Sequence, residues 1–500
     1  MTSVSRRLLP LLLACWCVSP VLAAQSADPA ARSRAASQAM QEGRFDDAAA
    51  IYRELLKAIP DEPGLLMNLG MALAMGGQEG EALAPLERAI ALKPDLVPAQ
   101  LFLGSSLLAL GQAEKAISPL KRAVAARPAD IEHRQMLAQA YAESGRPADA
   151  VTELRRVTAS APKLPGGWYA LGHAYNAMTQ DAMATFRDEP EESPWRQLLL
   201  ADALFADGRM TDAFAIYRST LERLPSMATI HDSIARIYEQ TGHKDWAARE
   251  RSRGTLSATV CAKRKALCEF RAGRHRTALA AAVRESDPES RYWRARAATE
   301  LALASFKQLE QLPDSRERRE VRATLASAER RHVDAIAELE AALKFAPGDP
   351  GLLDDLGTAY FLARDYAQAI ATLAPLVKAN PDNGRLLTVY GDSLLQLQRL
   401  DEAIPVLRQA IETSPADPMA RLTLGRAYVQ KGDFAAAIPL IEPQLAEDHD
   451  GSLHVQLSRA YSGVGQREKG AALLERAQQL QRASQERADA AAQRAITPPK

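Results

Sequence analysis

The densest group of potential metal ligands is the stretch EDHDGSLH, residues 447–454. Its carboxylates and imidazoles belong to Glu447, Asp448, His449, Asp450 and His454. A metal ion needs such groups to converge from several directions. The alternative is a linker in which Asp450 caps the following helix and His454 lies on a packing face of that helix. The sequence favours the linker and predicts neither a metal site nor a cofactor.

Two cysteines, Cys261 and Cys268, could form a disulfide. On one continuous helix their Cα atoms would be ~10.5 Å apart at about 1.5 Å per residue, which is too far for the bond. In an oxidising compartment two lone thiols are nevertheless most simply paired. Both conditions hold if Cys261 precedes the helix in a loop that folds back onto it. The alternative is a pair of buried thiols that act as small apolar residues.

Motifs for catalysis are absent from the sequence. It contains no HExxH, no GxSxG, no phosphate-binding P-loop, no CxxCH and no paired CxxC. Almost every segment also contributes to a repeat of about 34 residues, so no room is left for a separate catalytic domain. The sequence therefore predicts a protein that is not an enzyme. A hydrolase or transferase stays a third class of function, with no residue to support it.

The N-terminal segment has the pattern of an export signal. Arg6 and Arg7 precede an apolar run at residues 8–18, and small residues follow, with Ala23 before the expected cut. We predict a cleaved signal peptide over residues 1–23 and a periplasmic or secreted protein. Two alternatives stay open, a lipoprotein modified at Cys15 and an uncleaved membrane anchor. No other apolar stretch is long enough to span a bilayer.

The charge balance argues against a nucleic-acid partner. Lys and Arg number 62 and Asp and Glu number 62, so the net charge is zero. The segment from residue 249 to 276 is locally basic and contains only two acidic residues, Glu250 and Glu269. It is either an anion-binding patch or a solvated helix face that the acidic residues 187–192 partly neutralise, and the sequence favours the second reading.

A period of 34 residues organises most of the chain. It is marked by prolines that end helices and by small residues inside them. The prolines are Pro60, Pro94, Pro128 and Pro162, then Pro347, Pro381 and Pro415. The small residues are Gly70, Gly104, Ala138 and Gly172, then Gly357, Gly391 and Gly425. Apolar residues recur at helical spacing between these marks, so each period predicts a helix, a turn and a second helix.

This pattern resembles the tetratricopeptide repeat, and Trp168, Leu171, Gly172 and Tyr175 match its first helix well. The resemblance implies an all-α, right-handed superhelical solenoid of about 12–13 helix-turn-helix repeats. A lone helix pair cannot bury both of its faces, so neighbouring pairs must stack. Related exported bacterial proteins are usually scaffolds or assembly factors.

The regularity of the repeat predicts the domain boundaries. A regular block covers residues 28–178, divergent helical repeats with the basic segment cover 179–315, and a second regular block covers 316–482. Residues 483–500 are predicted to form a polar helical tail that frays at its end. After Tyr175 the expected second helix is missing from the sequence.

The resemblance also implies which residues meet a partner, because the first helix of each pair lines the concave surface in this family. Near the N-terminus these are Met67, Asn68, Met71 and Met75. The methionines are four residues apart and form one adaptable apolar stripe, and Asn68 could hydrogen-bond a peptide backbone. The alternative is that the stripe packs against a neighbouring helix as ordinary core.

Near the other end, Arg385, Arg426 and Arg459 occupy inward-facing positions with Asp392 beside them. We expect the arginines to bind an acidic part of an extended partner. The predicted function is a non-catalytic scaffold that presents a concave groove to a protein or peptide. The alternative is an assembly or export component docked on a membrane complex.

Overall fold

The structure is a computed structural model that describes residues 29–225, 227–284, 286–492 and 495–499. The predicted signal peptide and Cys15 lie outside these residues. Helices make up 78% of the chain, and the described part contains no strand, which confirms the predicted all-α fold. None of the described helices has both the length and the apolar character that a membrane crossing requires.

Two compact units divide the chain after Ala140. The first contains α1 (Pro29–Gln41), α2 (Phe45–Ala58), α3 (Pro63–Met75), α4 (Glu79–Leu92), α5 (Val97–Ala109) and α6 (Ala113–Ala126), and α7 (Ile131–Glu143) begins in it. Successive helices pack as pairs, as the period predicts. A methyl group on Gly70 would come within 2.3 Å of the Cγ atom of Leu86, so glycine is what allows α3 and α4 to approach.

The second unit begins with α8 (Pro147–Ser160) and α9 (Pro165–Ala184). Its middle contains α10 (Pro194–Ala206), α11 (Met210–Arg223), α12 (Ala228–Gln240), α13 (Lys244–Arg253), α14 (Ala258–Lys263), α15 (Lys265–Arg271), α16 (His275–Ala282) and α17 (Pro288–Glu310). It continues through α18 (Arg316–Ala328), α19 (His332–Leu343), α20 (Pro350–Leu362), α21 (Tyr366–Ala379), α22 (Gly384–Gln396) and α23 (Leu400–Thr413). It ends with α24 (Pro418–Lys431), α25 (Phe434–Ile441), a 3-10 helix (Glu442–Glu447), α26 (Ser452–Gly463) and α27 (Arg467–Ala492).

One repeat of the second unit is interrupted. The helix α9 has the pattern of a first helix, but it packs along α17 rather than along the next helix in the sequence. A methyl group on Gly172 would come within 2.4 Å of Cε1 of Phe306, which is the same close approach that Gly357 makes with Leu373 in a regular repeat. The helix α17 therefore occupies the place of the missing second helix.

Residues 185–287, here called the insert, lie between the two halves of this repeat. Their helices α10–α13, α15 and α16 share a core with the first half of α17, and this core is rich in aromatic residues. Its largest fully buried side chains include Trp293, Tyr217 and Tyr238. The helix α9 continues past residue 178 to Ala184, and α18 begins at Arg316.

A buried polar network joins the insert to α17. The carboxylate of Asp202 on α10 accepts hydrogen bonds from the hydroxyl groups of Tyr217, at 2.5 Å, and Tyr292, at 2.8 Å. Asp202 also forms an ion pair with Arg296 of α17. Burial raises the pKa of Tyr217 and of Tyr292 far above the usual range, and the charge of Asp202 adds to this effect. Both tyrosines are therefore hydrogen-bond donors at any physiological pH.

Candidate functional site

The predicted methionine stripe lies on α3 in the first unit. Met67, Met71 and Asn68 are half-buried, and Met75 is 46% exposed. The methionine stripe is therefore partly accessible to solvent rather than fully buried in the core. Its proposed contact with a partner stays a prediction.

The predicted arginine group lies on three first helices of the second unit, α22, α24 and α26. Arg385 is already paired with Asp354 of α20. Asp392 is buried, accepts a hydrogen bond from Gln396 at 2.8 Å, and has an oxygen 3.8 Å from the guanidinium of Arg426.

Arg459 is exposed and forms no ion pair within the part of the chain that the structure describes. An acidic partner would therefore have to compete with Asp354 for Arg385 and with Asp392 for Arg426. Arg459 is the member of the group that is freest to bind one.

An open apolar groove of about 550 Å³ lies between α9, α17 and α18. It exists because the backbones of α17 and α18 approach each other at few places, so the space that a regular repeat fills stays open. Its apolar lining includes Leu303, Phe306, Val321 and Leu325. Leu303 and Leu325 are 58% and 55% exposed, which is unusual for leucines on two facing helices.

His173 of α9 lines this groove and belongs to a row of aromatic rings. The rings of Tyr169 and His173 are 4.3 Å apart, and the ring of Phe306 stands edge-on to that of His173 at 5.4 Å. Burial lowers the pKa of His173, and the carboxylate of Glu320 offsets this only in part. The imidazole is therefore neutral at pH 7, and the wall presents no positive charge.

Ion pairs between α17 and α18 form part of the rim of the groove. Glu310 on α17 accepts hydrogen bonds from Arg322 at 2.8 Å and from Arg318 at 3.2 Å, both on α18. The hydrogen bond from Arg322 is the main reason that the pKa of Glu310 is low, so the carboxylate stays charged. Lys307 is exposed beside it and has no carboxylate partner among the described residues. The rim therefore offers one available cation.

Carboxylates continue from the groove toward α20. Glu320 of α18 and Asp355 of α20 line a smaller depression of about 240 Å³. Burial raises the pKa of Asp355, and the neighbouring charge of Asp354 raises it further. The faces of α9, α18, α20, α22, α24 and α26, here called the first-helix face, thus change from apolar to acidic and then to basic along the chain.

Sequence reasoning missed the groove because it lies where the repeat is interrupted. Phe306 fills the place of a leucine such as Leu373, but the insert separates it from Gly172 in the sequence. The exposed leucines are a weak indication of the groove in the sequence, since Leu303 is an apolar residue on the otherwise polar outer side of its helix. Nothing in the 34-residue period relates α9 to α17.

The residues at 447–454 form a helix-capping structure. Asp448 is buried and accepts hydrogen bonds from the backbone N–H of His454 at 2.9 Å, from its Nδ1 at 2.6 Å, and from the backbone of Gly451 at 3.0 Å. Asp450 accepts from the backbone of Ser452 at 2.9 Å. Asp448 is thus the main organiser of this turn, a role that the sequence analysis assigned to Asp450. No group of residues in the described part of the chain is arranged to hold a metal ion.

The cysteines Cys261 and Cys268 are joined by a disulfide, with a Cα–Cα distance of 5.5 Å. The sequence analysis placed Cys261 in a loop before the helix. The structure instead has two short helices, α14 and α15, and a break at Arg264 between them. The break replaces the straight helix, on which the two Cα atoms would be too far apart.

The basic segment is partly neutralised by ion pairs. Arg264 binds Glu289 at 2.7 Å, and Arg271 binds Asp232 at 2.9 Å. Arg274 binds Glu269 at 2.6 Å. These partners differ from the acidic residues 187–192 that the sequence analysis expected. The pairing supports a solvated, partly neutralised face rather than an anion-binding patch.

Comparisons with known proteins identify the repeats. Two family models, both described as tetratricopeptide repeat, match residues 33–97 and 355–418 in one case and 107–172 and 394–460 in the other. No curated protein sequence matches the chain.

Among solved structures, MamA (residue 41 to the end) from Desulfovibrio magneticus RS-1 is similar over 29% of this chain and 82% of its own, with 22% identity and a TM-score of 0.28. Yeast Tom70 is similar over 93% of this chain and 95% of its own, with 14% identity and a TM-score of 0.32. The matches to the family models fall on helix pairs of both units, and the chain therefore belongs to the tetratricopeptide repeat family.

Proposed function

We propose that this chain is a non-catalytic scaffold, exported from the cytoplasm, that binds an extended segment of a partner protein along its first-helix face. Proteins of this family bind other proteins. The observation that carries the proposal is the apolar groove, where Leu303, Phe306 and Leu325 form an open apolar patch. A concave apolar site with a few polar groups at its rim is the usual form of a binding site.

The groove indicates the chemistry of the partner. Its lining suits an aliphatic or aromatic side chain, because the wall formed by His173 is uncharged. Glu310 and Arg322 are held by each other, whereas Lys307 is available. We therefore expect a partner segment with an apolar side chain in the groove and a carboxylate near Lys307.

A peptide-display experiment tests this proposal. The purified protein is used to select from a random peptide library, and we expect enrichment of sequences with an apolar residue beside an acidic one. In Leu325→Asp the selected peptides should bind about tenfold more weakly or worse, since burial of a leucine contributes ~1.5–3 kcal/mol. Leu474→Asp is the matched control, because Leu474 is 44% exposed on α27.

Two results would contradict the groove as the binding site. One is unchanged affinity of the selected peptides for Leu325→Asp, and the other is an equal loss in Leu474→Asp. Circular dichroism of both variants establishes that their helical content matches that of the parent protein.

The export part of the proposal rests on the disulfide and on the N-terminal pattern. A bond between Cys261 and Cys268 fits an oxidising compartment. We expect N-terminal sequencing of the mature protein to begin at Ala24. A chain that begins with lipid-modified Cys15 would place the protein on a membrane, and an intact Met1 in the soluble fraction would remove export from the proposal.

A further inference from the structure

Residues 495–499 lie against the insert. The hydroxyl of Tyr238 on α12 donates a hydrogen bond to the carbonyl oxygen of Thr497 at 2.7 Å. Ile496 packs against the insert core. The segment has no helical structure, unlike α27 before it. A short non-helical segment thus contacts a surface formed by a distant part of the same unit.

Tyr238 belongs to a cluster of aromatic rings in the insert core. Tyr238 is fully buried, and Phe214 and Trp246 each lie 5.6 Å from it between ring centroids. His243 stacks on Trp246 at 4.1 Å. These contacts fix the orientation of the Tyr238 ring, so its hydroxyl is held ready for an incoming carbonyl group.

The chemistry of the segment complements this surface. Thr497 is followed by Pro498 and Pro499, which have no backbone N–H and hold their own φ angles near the extended range. Such a segment offers carbonyl oxygens as its main polar groups and loses little conformational entropy on binding. Aromatic surfaces with a hydrogen-bond donor are a recurring way to bind proline-rich peptides.

We infer that the insert carries a second peptide site, distinct from the apolar groove, that binds extended segments with an apolar residue followed by Thr-Pro-Pro. In this chain the site is filled by residues 495–499. A free peptide of the same sequence competes with that segment for the hydroxyl of Tyr238 and for the place of Ile496. The inference does not depend on the proposed groove, because the two sites share no residue.

A binding assay with the chain's own peptide tests the inference. The probe is a fluorescent synthetic peptide with the sequence AITPPK, and the readout is fluorescence anisotropy. A chain that stops after residue 494 should bind it saturably, and the full chain about tenfold more weakly or worse, because its site is occupied. In the shortened chain, Tyr238→Phe should weaken binding by about threefold to tenfold, the effect of one lost hydrogen bond.

Two further variants keep the test decisive. Full-length Ile496→Asp retains the whole chain but should release the segment, so it should bind the peptide about as well as the shortened chain does. Leu325→Asp in the shortened chain should leave peptide binding unchanged, which separates this site from the groove. Equal binding to the full and shortened chains, or no binding to either the shortened chain or Ile496→Asp, would overturn the inference.

Discussion

The insert and the regular repeats of the second unit are both built from helix pairs, but they are stabilised differently. The regular repeats bury small and aliphatic residues, and a glycine in the first helix meets an aliphatic residue in the second, as Gly357 meets Leu373. The insert and the first half of α17 together bury large aromatic rings and an ion pair with two tyrosine hydroxyls, and the insert also contains a disulfide. A regular repeat is stabilised by the repeats that stack on either side of it. The insert interrupts this stack, so it must be stabilised mainly by contacts within its own core.

The largest effect should come from the buried network of the insert. Asp202→Ala removes the acceptor of Tyr217 and Tyr292 and leaves the charge of Arg296 without its partner. Loss of one member of a buried pair costs about 3–5 kcal/mol of unfolding free energy. Denaturant unfolding, followed by tryptophan fluorescence, measures this cost.

The matched control for this network is Asp401→Ala in a regular repeat. Asp401 is 91% exposed and pairs with Lys431 at 2.8 Å. Exposed pairs contribute little, so this change should not alter stability measurably. Equal effects of the two substitutions would show that the insert does not depend on its polar network.

The second effect concerns the disulfide. Replacing both Cys261 and Cys268 with Ser should destabilise the insert by about 2–3 kcal/mol, the amount expected for a short closed loop. The stability of α18–α26 should change little, because they lie outside the insert. Hydrogen exchange, read separately for the two regions, checks this, and a uniform loss of protection would contradict it.

The third effect compares the interrupted repeat with a regular one. Gly357→Ala would put a methyl group 2.3 Å from the branched end of Leu373, which is fully buried, and overpacking of this kind costs about 1–3 kcal/mol. Gly172→Ala meets the far end of the Phe306 ring at 2.4 Å, but this ring is half-buried and borders the open groove, into which it can turn. There the helix propensity of alanine, about 1 kcal/mol better than that of glycine, offsets more of the strain. Thermal unfolding should therefore show a larger loss for Gly357→Ala, and the reverse order would disprove the difference.

The smallest effect is a dependence on pH in the second regular block. Burial alone would raise the pKa of Asp448, but hydrogen bonds from the side chain and backbone of His454 outweigh it and hold the pKa below the usual range. A lowered folded-state pKa contributes stability above the unfolded value of about 3.9, and this stability is lost as the pH falls through the folded value.

Asp448→Asn should therefore flatten the loss of stability below about pH 4. Asp433→Asn is the control, since Asp433 is an exposed helix cap that accepts a hydrogen bond from the backbone of Ala436. Unfolding at several pH values measures the slope, and the same slope in Asp448→Asn and the parent protein would exclude this role.

The 34-residue period by itself determined the repeat class, because each helix pair is encoded by residues close together in the sequence. Gly70, Gly357 and the helix-ending prolines act within one or two neighbouring helices, so their spacing is visible without a structure. The disulfide was also accessible from the sequence, since Cys261 and Cys268 lie within one short segment and only the break at Arg264 was missing.

Only the tertiary structure decided that α9 pairs with α17, and the apolar groove is a consequence of that pairing. The contact between Gly172 and Phe306 spans the whole insert, and no local pattern relates the two residues. The same reason hides the contact of Tyr238 with Thr497, which joins α12 to the far end of the described chain. A period in the sequence predicts contacts between neighbouring helices. The two proposed binding surfaces form instead where the insert interrupts the repeats.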